Sequence, residues 1–274
     1  MFLSITTTNY KGNLDILRKS FRSIQEESRD FEHEIILVDV ESEKQTEKMI
    51  KKEFPEIIFI PTKENIGYVK AVNLSIKKTQ KTSKYILYLK AGSFYKKDSI
   101  KKMIAFMEKN LKVGICAPKL FETNGNLINS CFRFYKLWTP AFRRLSFLNK
   151  FLFVQKDLDK FLMKDYDKKN PSPVDWFMGT SNLIRREALS DIGLHDERFY
   201  HYFSDIDWCR CFWQKKWEVW FLPEAEIIFY HGKQSTGGLS SLFKKFTRIH
   251  IKDGIKYFWK WKKISQMSKF KSQN

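Results

Sequence analysis

Between residues 2 and 117, short apolar runs alternate with stretches of helical spacing, and this alternation restricts the fold more than any other feature. The runs at 2–8, 34–38, 57–60, 85–89 and 113–117 are short and rich in β-branched and aromatic residues, as strands are. Between them, apolar residues recur at helical steps: Leu14, Leu17, Phe21 and Ile24; then Val69, Val72 and Ile76; then Ile100, Met103, Ile104 and Met107. Residues 46–54 read as a further helix. Strands joined through helices pair in parallel, and the crossovers cover both faces of the sheet. The expectation is a Rossmann-like α/β domain with a mostly parallel central sheet. Ligands of such sheets gather at the carboxyl ends of the strands, here residues 8–10, 39–42, 63–67 and 90–93.

Residues 174–235 are of another kind. An apolar run at 176–178 meets Gly179-Thr180, a tight turn or a close backbone approach. Leu183-Ile184 follows, residues 185–189 look helical, and Gly193 breaks that helix. A second helix is predicted from Ser204, a good N-cap residue, to about Lys215. Two strands, 218–222 and 226–230, are predicted on either side of Pro223, the second delivering His231 into a loop. Acids cluster here, Asp196, Glu197, Asp205 and Asp207, among Phe199, Tyr200, Tyr202, Phe203 and Trp208. A carboxylate at a helix start, walled by aromatic rings, is a candidate general base. Asp205 and Asp207 point about 200° apart on a helix and cannot share one task. Either one faces a cleft while the other caps the helix or meets an arginine such as Arg210, or both simply favour the helix N-terminus electrostatically.

Charge enters next. Fifty Lys and Arg against 31 Asp and Glu leave a net +19, which calls for a polyanionic neighbour (anionic lipid, nucleic acid or phosphorylated substrate) unless it reflects a lysine-rich host. The excess is concentrated past residue 239. There Lys244, Lys245, Arg248, Lys252, Lys256, Lys260, Lys262 and Lys263 are interleaved with Phe246, Tyr257, Phe258, Trp259 and Trp261, against the single acid Asp253. Such a helix suits an anionic membrane surface, or packs its aromatics on the domain with its lysines in water. No nucleic-acid motif is present, so no nucleic-acid partner is expected. Residues 121–138 read as a hairpin or arm turning at Asn124-Gly125. Residues 139–172 mix Phe142, Phe147, Phe151 and Phe153 with Arg143, Arg144 and Lys150, as a lid or a membrane-leaning helix would. Cys116, Cys131, Cys209 and Cys211 show no metal spacing and no disulfide framework, which suits a reducing, cytoplasmic setting. No apolar run approaches the roughly 20 residues of a spanning helix, so membrane contact is expected to be peripheral, on the inner face.

The 174–235 stretch resembles the C-terminal half of family 2 glycosyltransferases, in particular a rhamnosyltransferase-like branch. The resemblance is carried by Trp176, Gly179, Leu183-Ile184-Arg185-Arg186-Glu187-Ala188, Ile192-Gly193, Asp196-Glu197, Phe199-Tyr200, Tyr202, Asp205-Ile206-Asp207-Trp208-Cys209, Trp217, Pro223, Ala225 and His231. The first half matches at Thr8-Asn9-Tyr10, at Val38-Asp39-Val40-Glu41-Ser42, and at Asn65, Gly67, Tyr68, Ala71 and Asn73. The resemblance implies a GT-A fold and inverting transfer of one sugar from a nucleotide-sugar, such as dTDP-rhamnose or a UDP-sugar, to a growing, lipid-linked surface glycan. It implies that Asp205 is the base on the acceptor hydroxyl, that Asp39 holds the nucleobase, and that His231 is a metal or diphosphate ligand. The donor side then comprises Thr8, Tyr10, Asp39, Glu41, Asn65, Gly67, Asn73, Lys90 and Gly92, and the acceptor side Trp176, Gly179, Asp196, Glu197 and Asp207. Residues 1–238 would form the transferase domain, with a nucleotide-binding half 1–118 and an acceptor-side half 119–238. Residues 239–274 would form the basic helical appendage.

The chain departs from the family after the fourth strand. Relatives place a metal-binding aspartate there; this chain reads Leu89-Lys90-Ala91-Gly92-Ser93. Glycine offers no side-chain oxygen, and oxygen is what magnesium or manganese takes. Three readings stand open: Lys90 supplies the positive charge and transfer runs without a metal; a divalent cation binds through His231 and the diphosphate alone; or the chain is a non-catalytic nucleotide-sugar-binding paralogue that partners an active transferase.

Overall fold

The computed structural model describes residues 2–230 and 245–271. In chain order the elements are β1 (Phe2–Tyr10), α1 (Leu14–Ser28), β2 (Glu32–Val40), α2 (Lys44–Glu53), β3 (Ile58–Pro61), α3 (Tyr68–Lys77), β4 (Tyr85–Lys90), β5 (Ser93–Tyr95), α4 (Ser99–Lys109) and β6 (Val113–Phe121). Then follow β7 (Leu127–Ile128), β8 (Cys131–Phe132), α5 (Thr139–Arg144), a 3-10 turn (Ser146–Lys150), α6 (Leu152–Phe161), β9 (Ser172–Pro173), β10 (Trp176–Phe177) and β11 (Ser181–Arg185). The remainder is α7 (Arg186–Ile192), α8 (Ser204–Gln214), β12 (Glu218–Phe229) and α9 (Lys245–Lys271).

The main sheet runs β3-β2-β1-β4-β11-β6-β12-β5. Parallel pairing joins β3, β2, β1 and β4, and again β6 and β12. The sequence pattern predicts that much. It does not show that β11 enters antiparallel between β4 and β6, pairing Leu183 with Leu87 and Cys116. β11 is buried at every position, so it lacks the alternation that would set it apart from a parallel core strand.

Alternate side chains of β4 feed two cores, as a period of two requires. Tyr85, Leu87 and Leu89 pack on one face with Leu17, Phe21 and Ile24 of α1 and with Met103 and Met107 of α4. Ile86 and Tyr88 pack on the other face with Val69, Val72 and Ile76 of α3, Trp208 and Phe212 of α8, and Tyr257 and Trp261 of α9. Helix α9 therefore completes a core. Burying an aromatic of this size contributes about 2–3 kcal/mol, and Tyr257 is wholly buried.

Two local expectations need correction. The stretch 218–230 is not two strands: Pro223 sits inside the single strand β12, at a register shift between Leu222 and Glu226 that absorbs its missing N–H. Ser204 is not an N-cap either. It is the first residue of α8, its hydroxyl is buried without a hydrogen-bond partner among the described residues, and Phe203 occupies the cap position with φ 62°. The 121–138 arm does begin as a hairpin, β6 to β7, with Gly125 at φ 88° in its turn. Cys116, Cys131, Cys209 and Cys211 are free thiols.

Candidate active site

The strand ends at β1, β2 and β4 form one corner of the molecule. Asp39, in β2, is almost completely buried. Its Oδ1 accepts from Asn9 Nδ2 at 2.7 Å, its Oδ2 from the Ser42 hydroxyl at 2.5 Å, and its carbonyl from the Thr62 N–H at 2.9 Å. Burial pushes its carboxyl up, and the donors from Ser42 and Asn9 oppose that. At the rim, Lys11 pairs with Glu41 at 2.8 Å beside the exposed ring of Tyr10. The Thr8 hydroxyl bonds the Tyr88 phenol at 3.1 Å. Ahead of α3, Asn65 Oδ1 accepts from the Gly67 N–H at 2.9 Å, closing the turn that starts the helix. Asn73 works further inside. Its amide donates to the His195 carbonyl at 2.8 Å and to Glu197 at 3.1 Å, and its Oδ1 accepts from the His195 N–H at 3.0 Å. Asn73 thus clamps the 193–203 loop to α3.

Helix α8 and the turn after β10 bring the second group together. The Gly179 N–H donates to Asp205 Oδ2 at 3.0 Å. The Gly179 carbonyl accepts from the Tyr68 hydroxyl at 3.1 Å, and the Thr180 carbonyl from the Lys90 N–H at 2.8 Å. The Lys90 ammonium stands over the Tyr68 ring, 4.6 Å from its centroid, and the His201 ring meets Tyr68 edge-on at 5.5 Å. Among the described residues Lys90 has no ion pair. Burial pushes its pKa down, and the charge of Asp205 opposes this. Burial likewise lowers His201 and raises the Tyr68 phenol.

Thr180 Oγ1, Ser204 Oγ and Asp205 Oδ1 are buried without a hydrogen-bond partner among the described residues. They lie on the two segments that the Gly179–Asp205 bond joins. An unpaired buried polar atom costs about 1–3 kcal/mol, so a polar ligand that satisfies them recovers that deficit. A half-buried carboxylate with one oxygen held and the other lacking a hydrogen-bond partner, near an ammonium without an ion pair, can take a proton while the ammonium stabilises a departing anion.

The remaining acids lie elsewhere. Asp207 points away from Asp205 toward α9, not toward Arg210. Its Oδ2 meets Lys260 Nζ at 2.7 Å and its Oδ1 accepts from Trp261 Nε1 at 2.8 Å. Burial raises its carboxyl in spite of both donors. Arg210 instead lies over the Trp261 ring at 4.5 Å and donates to the Tyr257 hydroxyl at 3.1 Å. Asp196 pairs with Arg198 and with Lys260. Burial disfavours its charge, but those hydrogen bonds outweigh burial and hold its carboxyl below the usual range. Glu197 is exposed, with Lys77 at 3.7 Å. Trp176 stacks on Phe132 at 4.5 Å and donates to the Arg133 carbonyl at 2.8 Å, so it braces the aromatic floor. His231 lies outside the described residues. Sequence reasoning passed over His195, His201 and Thr180; the signal for His201 was its place inside the run of aromatics at 199–203.

Three kinds of comparison bear on this arrangement. A family model described as glycosyl transferase family 2 matches residues 4–193. The N-acetylglucosaminyl-diphospho-decaprenol L-rhamnosyltransferase of Mycobacterium tuberculosis (strain ATCC 25618 / H37Rv) is 22% identical over 231 residues, 74% of this chain and 68% of that protein. Among solved structures, GalNAc-T7 with UDP, GalNAc and Mn2+ is similar at a TM-score of 0.65 and 14% identity, over 90% of this chain and 48% of that one. S. aureus TarS in complex with UDP reaches 0.54 at 15% identity, covering 84% of this chain and 60% of that one. The Pyrobaculum calidifontis mannosyltransferase PcManGT, in complex with GDP-Man and Mn2+, reaches 0.56 at 14% identity, covering 85% and 58%. The chain thus spans about half of the solved proteins it resembles, and at these identities the likeness shows the fold, a GT-A type α/β domain.

Two of those structures contain Mn2+, so the fit of such an ion was tested on the side chains present. Gly92 follows β4 with φ 88°, and a Cβ built on it would lie 3.4 Å from Ile16 Cγ2 and 3.5 Å from Tyr230 Cβ. Its carbonyl is taken by the Tyr230 N–H at 2.9 Å. Among the described residues no three His, Cys, Asp or Glu side chains gather as a metal site. Among the described residues, the donor set at the end of β4 does not fit a divalent cation.

Proposed function

The chain belongs to glycosyl transferase family 2, and from that premise we propose that it moves one sugar from a nucleotide-sugar to a lipid-linked glycan acceptor, with inversion at the anomeric carbon. The observation that carries the proposal is Asp205: one oxygen is held by the Gly179 N–H, the other is buried and unsatisfied among the described residues, and its charge acts on the Lys90 ammonium that stands over Tyr68.

The nucleobase lies over the ends of β1 and β2, between Tyr10 and the turn that Asp39 and Ser42 close. The diphosphate lies toward Lys90 and the end of β4. The acceptor oxygen then forms a bond to the anomeric carbon as its proton passes to the Asp205 carboxylate. The bond from that carbon to the diphosphate oxygen breaks, and its electron pair leaves with the nucleoside diphosphate. Lys90 stabilises the charge that develops there, an electrostatic task that lysine performs as a point charge. Because the β4 end does not fit a divalent cation, no step is assigned to one. The acceptor class follows the similarity to a rhamnosyltransferase whose name specifies a diphospho-decaprenol acceptor, which also favours a deoxyhexose donor.

The test is release of nucleoside diphosphate from dTDP-rhamnose, UDP-sugars and GDP-mannose, with and without a polyprenyl-diphosphate sugar. Acceptor-dependent release that disappears in Asp205→Asn supports the proposal. Tight nucleotide binding with no turnover on any donor favours the second reading, a non-catalytic partner of an active transferase, for which the missing carboxylate at Gly92 is the motivating observation.

A further inference from the structure

We propose that the face formed by segment 137–153 together with the outer side of α9 docks on an anionic phospholipid bilayer. Large apolar side chains stand in water on both elements. Leu152 is 73% exposed and Phe153 64% on one; Ile255 is 64% and Trp259 76% on the other. Leu137, Trp138, Phe147, Phe151 and Ile251 join them, so most of the large apolar side chains exposed on the described surface lie on this one face. A concentration of that kind, where no helix among the described residues is long and apolar enough to cross a membrane, marks an interaction surface rather than scatter.

The two elements, a hundred residues apart in sequence, meet across a groove of about 430 Å³. Pro140, Ala141 and Arg143 line one wall, Ile251, Gly254 and Ile255 the other, and Tyr135 and Phe203 the floor. Helix α9 divides by face. Asp253, Tyr257 and Trp261, spaced four apart, turn into the domain. Ile251, Ile255 and Trp259, also four apart, turn out. The only acid of the described helix, Asp253, is therefore withdrawn: its Oδ2 accepts the N–H groups of Tyr200, His201 and Tyr202, each at 3.2 Å. What remains outside is cationic. Arg248, Lys252, Lys262 and Lys263 are exposed on α9, and Arg143, Lys150 and Lys156 are exposed on the opposite segment, none of them in an ion pair among the described residues.

An apolar strip flanked by unpaired cations matches a bilayer interface carrying anionic head groups. A second copy of this chain would match the apolar strip but would bring its own cations against these. The floor residue Phe203 caps α8, the helix that carries the candidate base Asp205, so a docked bilayer would adjoin the element that meets a lipid-borne acceptor. That last point rests on the transferase reading; the docking itself does not.

Sedimentation of the full chain with extruded vesicles tests it. Binding is expected on phosphatidylglycerol–phosphatidylcholine vesicles at low salt, at least tenfold weaker on pure phosphatidylcholine, and reduced by added salt. Lys252→Ala and Lys263→Ala should each lower partition about fivefold. Phe153→Ser and Trp259→Ser should lower it about tenfold each, with circular dichroism unchanged because both side chains stand in solvent. Absence of binding to the anionic vesicles, or binding indifferent to Phe153 and Trp259, overturns the proposal. So does a lipid-free dimer, seen by light scattering, that Ile255→Ser and Trp259→Ser dissociate, since that assigns the face to a second copy. Activity is not read in any arm, so failure here leaves the transferase reading untouched.

Discussion

The backbone N–H of Gly179 lies 3.0 Å from Asp205 Oδ2, and a Cβ built on Gly179 would lie 2.5 Å from Asp205 Oδ1. No side chain fits between this turn and the carboxylate. Glycine is there for the approach, and the approach fixes which oxygen is free.

Gly179→Ala should therefore act through Asp205. A methyl at 2.5 Å must displace the carboxylate, and a displacement of about 1 Å from a reacting geometry can cost 100-fold in rate. Turnover is expected to fall by at least that factor, while titration of UDP or dTDP gives a dissociation constant within about threefold of the parent. Asp205→Asn should fall further with binding equally preserved. Full activity in Asp205→Asn would show that the base is another residue.

Donor binding should not need a metal. Calorimetric titration of UDP and of dTDP is expected to give the same affinity in EDTA as in manganese. Lys90→Ala should weaken binding more than tenfold in both, with Lys90→Arg recovering part of the loss. Loss of binding in EDTA would instead point to a cation held outside the described residues, His231 being the first candidate.

Gly92→Asp should not install a metal site. The position has φ 88°, which side chains other than glycine rarely adopt, and only 3.4 to 3.5 Å separates the new Cβ from Ile16 and Tyr230. The expected result is a loss of about 1–3 kcal/mol in stability from backbone strain, with no gain in manganese affinity. A manganese-dependent increase in activity would overturn the account of this loop.

Asp207→Ala should destabilise the fold rather than the chemistry. It leaves the partly buried Lys260 with Asp196 alone and the Trp261 indole without its acceptor, and breaking a buried ion pair from one side costs about 3–5 kcal/mol. Urea denaturation should show the loss, and Asp207→Asn, which keeps an oxygen for Trp261, should show less.

His195 sets an acid limit. Burial lowers its pKa to about 4 from 6.5, and its ring lies on Trp208 at 3.9 Å. The unfolded chain takes up a proton near pH 6.5 that the folded chain refuses until about 4, so the contribution is complete above 6.5 and is lost as pH falls through that window, by about 3 kcal/mol. His195→Phe keeps the ring and removes the titration, so its stability should be flatter with pH between 6.5 and 4. An unchanged slope would remove His195 from the explanation.

What was legible in the sequence was local or repetitive. The helix faces Leu17, Phe21, Ile24 and Val69, Val72, Ile76 point to their cores as their spacing requires. The turn at Gly67 opens α3 as its residues suggest. What was not legible depended on distant partners. β11 showed in the sequence only as the apolar pair Leu183-Ile184, and its antiparallel place is set by its neighbours. Asp207 offered Arg210 as a nearby cation on the same helix face, but Arg210 lies over the Trp261 ring and the ion pair goes to Lys260, 53 residues on. Asn73 resembles a donor-side polar residue, yet its amide is spent on His195 and Glu197. The placing of Asp205 beside Gly179 required the fold, although both residues were visible in the motif.

The contacts of α9 also set an order of events in synthesis. A nascent chain that has reached residue 244 holds every residue proposed here for donor and base, but its Asp207 lacks the Lys260 ammonium, and the amides of residues 200–202 lack the Asp253 carboxylate. The segment that leads into α8, held to α3 by Asn73, gains its second anchor only when Asp253 and Lys260 arrive. A ribosome pausing between those points carries a sheet that is built and an α8 that is not yet locked, so shortening the chain by a few dozen residues at that end should silence the proposed transfer while most of the fold survives.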